Sequence, residues 1–112
     1  MRDIQRDLPF IYWSDKTKLD WLQRYLIIHS ILYYQLDSPI ISDKEYDSMT
    51  NQYLKLVENT PTKVFKKTQY YYCFEEFDGS TGFDLYDKLT EEDKEYLMCI
   101  SNSVLYSKTG GN

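Results

Sequence analysis

Asp43, Tyr46 and Asp47 occupy positions i, i+3 and i+4 of the sequence, which places two carboxylates and a phenol on one face of a helix. The two acidic side chains repel each other slightly at this spacing. A cationic ring bound beside them would remove that repulsion. Two further tyrosines, Tyr33 and Tyr34, precede this group. If the aromatic faces and carboxylates converge, they could stack a flat cationic heterocycle and bind ribose hydroxyls.

The same residues also have simpler interpretations. An aspartate near a helix start stabilises the helix dipole, and tyrosines at helical spacing pack in a core. Asp43 and Asp47 could act as a general acid and base, but no nucleophile accompanies them. The lone histidine, His29, gives no basis for a serine-histidine-aspartate arrangement. Spacing alone therefore leaves ligand binding, structural stabilisation and, as a minor alternative, general acid-base catalysis open.

Two helices joined by a short proline-containing turn are expected to position these residues. The first covers about residues 14–36, with Ser at its N-cap, and residues 37–39 break it. The second begins at Ser42, which forms a capping box with Glu45, and ends near Glu58. Such an αα-hairpin returns the start of the second helix close to the end of the first. The tyrosines and carboxylates would then meet at the hairpin tip.

The C-terminal part of the chain has a different pattern. Residues 69–77 are a run of aromatic side chains, which is typical of a strand or extended segment. Residues 78–82 form a turn cluster that lacks the Gly-Lys-Ser/Thr ending of a phosphate-binding loop. Residues 83–89 could form a short helix or a second strand. Thr90 followed by Asp93 predicts the start of a final helix, before a frayed glycine-rich end.

The sequence therefore predicts a mainly α fold: a helical hairpin core with a C-terminal extended or β segment and a final helix. The length of 112 residues fits a single domain. We divide it into the helical hairpin, residues 14–60, and a C-terminal extension, residues 61–112. Residues up to about Trp13 are expected to form a short helix or an apolar arm.

Charge and cysteine content exclude several function classes. A net charge of −5 with scattered basic residues makes direct nucleic-acid binding improbable. Cys73 and Cys99 lack metal-site spacing; they are expected to be reduced thiols, although a disulfide between them stays open. The sequence has neither a signal-like apolar run nor the roughly 18 apolar residues of a membrane span. We expect a cytoplasmic protein of a bacterial host cell without a metal site.

Residues 29–47 resemble the opening domain of bacterial NAD-dependent DNA ligases. In that family a histidine precedes a Tyr-Tyr or Tyr-His pair, followed by an Asp-x-Pro turn and then Ile-Ser-Asp-x-Glu-Tyr-Asp. The present sequence reads His-Ser-Ile-Leu-Tyr-Tyr-Gln-Leu-Asp-Ser-Pro-Ile-Ile-Ser-Asp-Lys-Glu-Tyr-Asp. The family's small helical domain binds the nicotinamide mononucleotide half of NAD. The resemblance implies that the ligand-contacting residues here are Tyr33, Tyr34, Asp43, Tyr46 and Asp47.

The resemblance also implies roles for these residues. Tyr33 and Tyr46 would enclose the nicotinamide ring, the carboxylates would hold the ribose, and His29 would support Tyr33. The adenylating lysine of the family's Lys-x-Asp-Gly motif is replaced by Glu76 before Asp78 and Gly79. We therefore expect a protein that is not an enzyme and that binds NAD or nicotinamide mononucleotide. The chain from residue 69 onward resembles short phage and prophage proteins related to ligases.

A second function of a different class stays open. The chain contains 12 Tyr, and 17% of its residues are aromatic, which suits a protein interface as well as a core. A phage-encoded interaction or inhibitor protein could use this surface against a host ligase, a CRISPR nuclease or another defence effector. Burial in a strand is the alternative interpretation. The interface residues of this anti-defence hypothesis are Tyr70, Tyr71, Tyr72, Phe74 and Phe77.

Overall fold

The computed structural model describes residues 13–80 and 82–110, except for the side chains of residues 109 and 110. Predictions for residues 1–12 and for residues 111–112 lie outside this part. The elements in chain order are α1 (Asp15–Ser30), a first π-helical turn (Ile31–Gln35), α2 (Asp43–Glu58), α3 (Thr62–Phe65), α4 (Tyr71–Phe74), α5 (Leu85–Lys88), α6 (Glu91–Leu105) and a second π-helical turn (Tyr106–Gly110). The prediction of a mainly helical protein is confirmed.

Serine N-caps define the starts of α1 and α2, the two helices that form the hairpin. The Ser14 hydroxyl accepts a hydrogen bond from the Thr17 backbone N–H, and the predicted Ser42–Glu45 capping box is present. After the first π-helical turn, Asp37 adopts a left-handed conformation with φ of 50°, which redirects the chain. The predicted boundaries of both helices are confirmed.

The predicted C-terminal strand is wrong. Within the described residues the run 69–77 contains α4 flanked by turns, and no strand occurs there. Tyr70 and Phe74, four residues apart, are 0% and 2% exposed and join the same core. Cys73 is also 0% exposed, whereas Tyr72 is 39% exposed. Burial at positions i, i+3 and i+4 is the pattern of a helix face, whereas a strand would bury Tyr72 together with Tyr70 and Phe74 and place Cys73 on the opposite side. A continuous aromatic run satisfies either pattern, so the sequence alone did not separate them.

The rest of the extension follows the helical alternative. Residues 83–89 contain the short helix α5 rather than a second strand. The final helix is confirmed: the Thr90 hydroxyl caps it by accepting a hydrogen bond from the Asp93 backbone N–H. Cys73 is buried and Cys99 is exposed, and both thiols are free. None of the helices between residues 13 and 110 is long and apolar enough to cross a membrane.

A buried glutamine ties the hairpin to the extension. The Gln23 amide nitrogen donates to the Thr68 hydroxyl at 2.8 Å and to the Tyr53 hydroxyl at 3.2 Å. Its amide oxygen accepts from the Tyr70 backbone N–H at 3.0 Å. Around it lies one hydrophobic core drawn from both parts of the chain, including Leu19, Leu22, Leu26, Ile27, Tyr53, Tyr70, Phe74, Leu85 and Leu97. Gln23 therefore ties the extension to the hairpin at a point away from the hairpin tip.

Candidate functional site

A cavity of about 240 Å³ lies at the tip of the hairpin. The π-helical turn after α1, the connection to α2 and the first turn of α2 contribute most of its wall. The five residues proposed from the sequence all line it: Tyr33, Tyr34, Asp43, Tyr46 and Asp47. The antiparallel return of the chain thus brings the two halves of the motif together, as the sequence predicted. Whether these residues bind a ligand stays a prediction.

Tyr33 and Tyr34 form the exposed aromatic side of the cavity. Their side chains are 45% and 40% exposed, and their ring centroids are 4.7 Å apart in an edge-to-face arrangement. The π-helical turn that carries them closes with a hydrogen bond from the Leu36 backbone N–H to the Ile31 carbonyl, at 2.9 Å. Single π-helical turns associated with α-helices are frequent at functional sites. Two large aromatic faces are left accessible to a ligand here.

Tyr46 forms a fixed side of the same cavity. Its hydroxyl lies 2.7 Å from the Ser30 hydroxyl, so the phenol is anchored to the end of α1. Burial raises the pKa of Tyr46 to about 12, and the hydrogen bond with Ser30 opposes part of that rise. The side chain is therefore a neutral phenol at physiological pH. Its position is set by the hairpin before any ligand arrives.

Asp43 and Asp47 give the cavity its charge. Both side chains are exposed and stand one turn apart at the start of α2. Among the described residues that line the cavity there is no lysine or arginine. The local field therefore favours a positively charged group, and the four carboxylate oxygens are hydrogen-bond acceptors for hydroxyl groups.

His29 lies at the inner side of the cavity. Its Nδ1 atom is buried and has no hydrogen-bond partner in the described part of the chain. The ring packs against Tyr25 at 4.3 Å between centroids. Support of Tyr33 by His29 stays a prediction. Burial lowers the pKa of His29, while the Glu45 carboxylate raises it by a smaller amount. The imidazole is therefore neutral near pH 7 and adds no positive charge to the cavity.

The extension also contributes to the cavity, which the sequence did not predict. Gly79, Ser80 and Gly82 also line the cavity, although their sequence indicated only a turn. Gly82 is buried, which is unusual for a turn that merely connects two helices. Two glycines three residues apart were the available signal, because glycine permits close approach of one backbone to another element.

The five aromatics proposed as a partner interface are not a continuous surface. Tyr70 and Phe74 lie in the core, and Tyr71 and Phe77 are half-buried. Tyr72 is 39% exposed, and its hydroxyl donates to the Asp93 carboxylate at 2.5 Å. Burial, the alternative considered for these residues, accounts for the two core members, in a helix rather than a strand. Binding to a host protein stays a prediction.

No group of three or more His, Cys, Asp or Glu side chains in the described residues is arranged to hold a metal ion.

Comparison with known proteins places the hairpin in a defined context. The family model described as "DNA ligase-like, N-terminal NAD+-binding domain" matches residues 13–72. A DNA ligase of Neorickettsia sennetsu is 42% identical over 62 residues, which is 55% of this chain and 9% of the relative. A DNA ligase of Alkaliphilus metalliredigens is 46% identical over 43 residues, 38% of this chain and 6% of the relative.

A DNA ligase of Mycoplasmopsis synoviae is 41% identical over 51 residues, 46% of this chain and 7% of the relative. The matches thus span less than a tenth of the length of each relative. No solved structure gives a significant match. The five proposed ligand residues lie inside the matched range, whereas the glycines of the extension lie outside it.

Proposed function

The chain belongs to the family of DNA ligase-like N-terminal NAD+-binding domains, and we propose that it binds the nicotinamide half of NAD, or nicotinamide mononucleotide, in the hairpin-tip cavity. The observation that carries this proposal is that all five motif residues line one cavity. We further propose that the chain recognises the nucleotide without transforming it.

The walls of the cavity match an N-ribosyl pyridinium ring. Nicotinamide in its oxidised nucleotide form is flat and positively charged. Tyr33 and Tyr46 offer it aromatic faces, and a cation over such a face is stabilised by about 0.5–2 kcal/mol, depending on its exposure. Asp43 and Asp47 add attraction for the ring's positive charge and accept hydrogen bonds from ribose hydroxyls. The aromatic faces and the carboxylates therefore both favour binding of this ligand at the hairpin tip.

We expect binding without catalysis, because the polar groups at the cavity are already hydrogen-bonded or lack a group that they could activate. The Ser30 hydroxyl is engaged with Tyr46, and the Ser42 hydroxyl accepts the capping hydrogen bond from the Glu45 backbone N–H. His29 is neutral but lacks a hydroxyl or thiol partner to activate among its described contacts. The resemblance of Asp78-Gly79 to the family's Lys-x-Asp-Gly motif would require a lysine at position 76, where this chain has Glu76. We therefore expect no release of nicotinamide when the protein is incubated with NAD and the mixture is separated by chromatography.

The chain offers a matched pair of variants to test binding. Asp15 and Asp43 are both the first residue of a 16-residue helix, directly after a serine N-cap. Replacing either with alanine removes the same favourable interaction with the helix dipole. Only Asp43 lines the cavity. Any difference in ligand response between Asp15→Ala and Asp43→Ala therefore reports the site rather than the helix.

The measurement is the melting temperature with and without nicotinamide mononucleotide. A ligand at 100 times its Kd stabilises the native state by about 2.7 kcal/mol. We expect this stabilisation in the wild type and in Asp15→Ala, and its loss in Asp43→Ala. An unchanged melting curve in the wild type, or an equal response in Asp43→Ala, would contradict the proposal.

A further inference from the structure

The segment between α4 and α5 contacts the proposed nucleotide site, although it lies outside the part of the sequence that matches the ligase-like family. Gly79, Ser80 and Gly82 line the cavity, and Phe83 follows directly. The family match ends at residue 72. These residues therefore lie outside the part of the chain that matches the ligase-like family.

Gly82 lies directly on the hydrogen bond that anchors the fixed aromatic wall. A Cβ atom added to Gly82 would collide with the Tyr46 hydroxyl and would lie 2.5 Å from the Ser30 hydroxyl oxygen. No ordinary side chain fits at such distances, so the wall and the turn must move apart if Gly82 is replaced. The backbone at Gly82 thus sets where the Tyr46 ring can stand.

Gly79 holds the same turn against α2 at a second point. It adopts a φ of +86°, and an added Cβ would lie 2.6 Å from Leu54 Cδ1 and 3.0 Å from Thr50 Cγ2. The Asp78 carboxylate accepts a hydrogen bond from the Ser80 backbone N–H at 2.9 Å, which closes the turn locally. Close packing at Gly79 and Gly82 therefore seats this segment on the hairpin.

Phe83 extends the row of aromatic rings at the cavity. Its ring lies 5.3 Å from that of Tyr34 in an edge-to-face arrangement, and Tyr34 in turn packs edge-to-face on Tyr33. Phe83 is nevertheless 55% exposed. Edge-to-face pairs restrict ring orientation and contribute about 0.5–1.5 kcal/mol beyond burial. Phe83 is thus placed to hold Tyr34 in the orientation that faces the cavity.

We propose that residues 79, 80 and 82 form a third wall of the nicotinamide cavity, with Gly82 positioning Tyr46, and that Phe83 next to this wall positions Tyr34. This inference rests on the proposed function and deepens it. The ligand is an N-ribosyl pyridinium compound: its nicotinamide mononucleotide half would occupy the cavity of about 240 Å³, and the adenosine half of NAD would extend outside it. Affinity for that ligand depends on the extension as well as on the ligase-like hairpin.

The test is calorimetric titration of the full chain with nicotinamide mononucleotide. Phe83→Ala is expected to weaken binding about three- to tenfold, since it removes one aromatic pair. Tyr96→Ala is the matched control. Tyr96 is 50% exposed and does not line the cavity, so the affinity of this variant for nicotinamide mononucleotide should equal that of the wild type. Gly82→Ala should weaken binding more than Phe83→Ala, and adding Tyr46→Phe should recover part of that loss by removing the colliding oxygen.

The outcomes separate this inference from the proposed function. If the wild type binds, Asp43→Ala does not, and Phe83→Ala and Gly82→Ala bind weakly, the third wall is supported. If Phe83→Ala and Gly82→Ala bind as tightly as the wild type while Asp43→Ala fails, the third wall is overturned and the hairpin site stands. If the wild type does not bind, both are overturned. Far-UV circular dichroism checks the fold of each variant, and exposed Phe83 keeps the test decisive if Gly82→Ala does not fold.

Discussion

Two tyrosines of α2, seven residues apart, face α1 in the same way but lie in different surroundings. Tyr46 pairs with Ser30 and Tyr53 pairs with Gln23, so the two bridges are also seven residues apart on α1. Tyr53 is 1% exposed, and its ring packs on Phe74 at 5.0 Å. Tyr46 borders a cavity.

The difference lies in what the extension places over each bridge. Over Tyr53 it brings Phe74 of α4, which fills the space and completes the core. Over Tyr46 it brings Gly82, which makes close contact at one point and fills little volume. Two similar bridges between α1 and α2 thus have different surroundings: the Tyr53 bridge lies in a closed core, and the Tyr46 bridge lies beside an open cavity. Residues of the extension, which are distant in sequence from both tyrosines, determine whether the space over each bridge is filled or open.

The largest expected effect is on stability at the closed bridge. Tyr53→Ala should lower the free energy of unfolding by about 3–5 kcal/mol, because it leaves a cavity among packed aromatic rings. Tyr46→Ala should cost less, since that ring already borders open space. Urea denaturation followed by circular dichroism measures both. Equal losses for the two variants would contradict the difference between a filled core at Tyr53 and an open cavity at Tyr46.

The next effect concerns the hydrogen-bonding partners on α1. Gln23→Ala removes two donors and the acceptor of the Tyr70 backbone N–H, so we expect a loss of about 2–3 kcal/mol. Ser30→Ala removes one hydroxyl beside a cavity that water can enter, with an expected loss of about 1 kcal/mol or less. The same denaturation experiment compares them. A larger loss for Ser30→Ala would show that the tip, not the Gln23 end, holds the hairpin together.

A smaller effect is the pH dependence of the Tyr46 bridge. The folded protein raises the pKa of Tyr46 from 10.0 to about 12, so it holds the phenol proton more tightly than the unfolded chain does. This contribution to stability is complete below pH 10 and is lost as the pH rises from 10 towards 12. The Tyr46→Phe variant lacks this titrating hydroxyl. The stability difference between the wild type and Tyr46→Phe should therefore shrink from pH 9.5 to pH 11.5, and a constant difference would contradict the burial of the phenol.

The smallest expected effect is on ligand binding through His29. Its lowered pKa means that the neutral imidazole is favoured above pH 6.5 and that protonation at lower pH adds a positive charge inside the cavity. The affinity for nicotinamide riboside, which has no phosphate titrating in this range, should fall about twofold between pH 7.5 and 5.5. His29→Gln should remove this dependence. An unchanged pH dependence in His29→Gln would assign it to another group.

Local rules of sequence predicted the hairpin but not what covers it. Ser14, Ser42 and Thr90 marked helix starts because a serine or threonine N-cap acts within four residues. The convergence of Tyr33 with Asp43 followed from the antiparallel return and from the resemblance. The aromatic run 69–77 was assigned to a strand because its side chains show no clear period.

Gly82 and Phe83 were missed for a different physical reason. Their role depends on contacts with Ser30, Tyr34 and Tyr46, which are 36 or more positions away in the chain. Nothing in the local spacing of a glycine-rich turn indicates which helix it will touch. The distinction between Tyr46 and Tyr53 was hidden in the same way.

The most direct test of the central claim is an amide proton–nitrogen correlation spectrum of the protein titrated with nicotinamide mononucleotide. We expect shifts of the amide signals of residues 29–47 at the tip and of residues 79, 80, 82 and 83, with little change at Gln23, Tyr53 and Tyr70. Shifts centred on the Gln23 end, or a spectrum unchanged by saturating ligand, would contradict the assignment of the open end of the hairpin as a nicotinamide-nucleotide site.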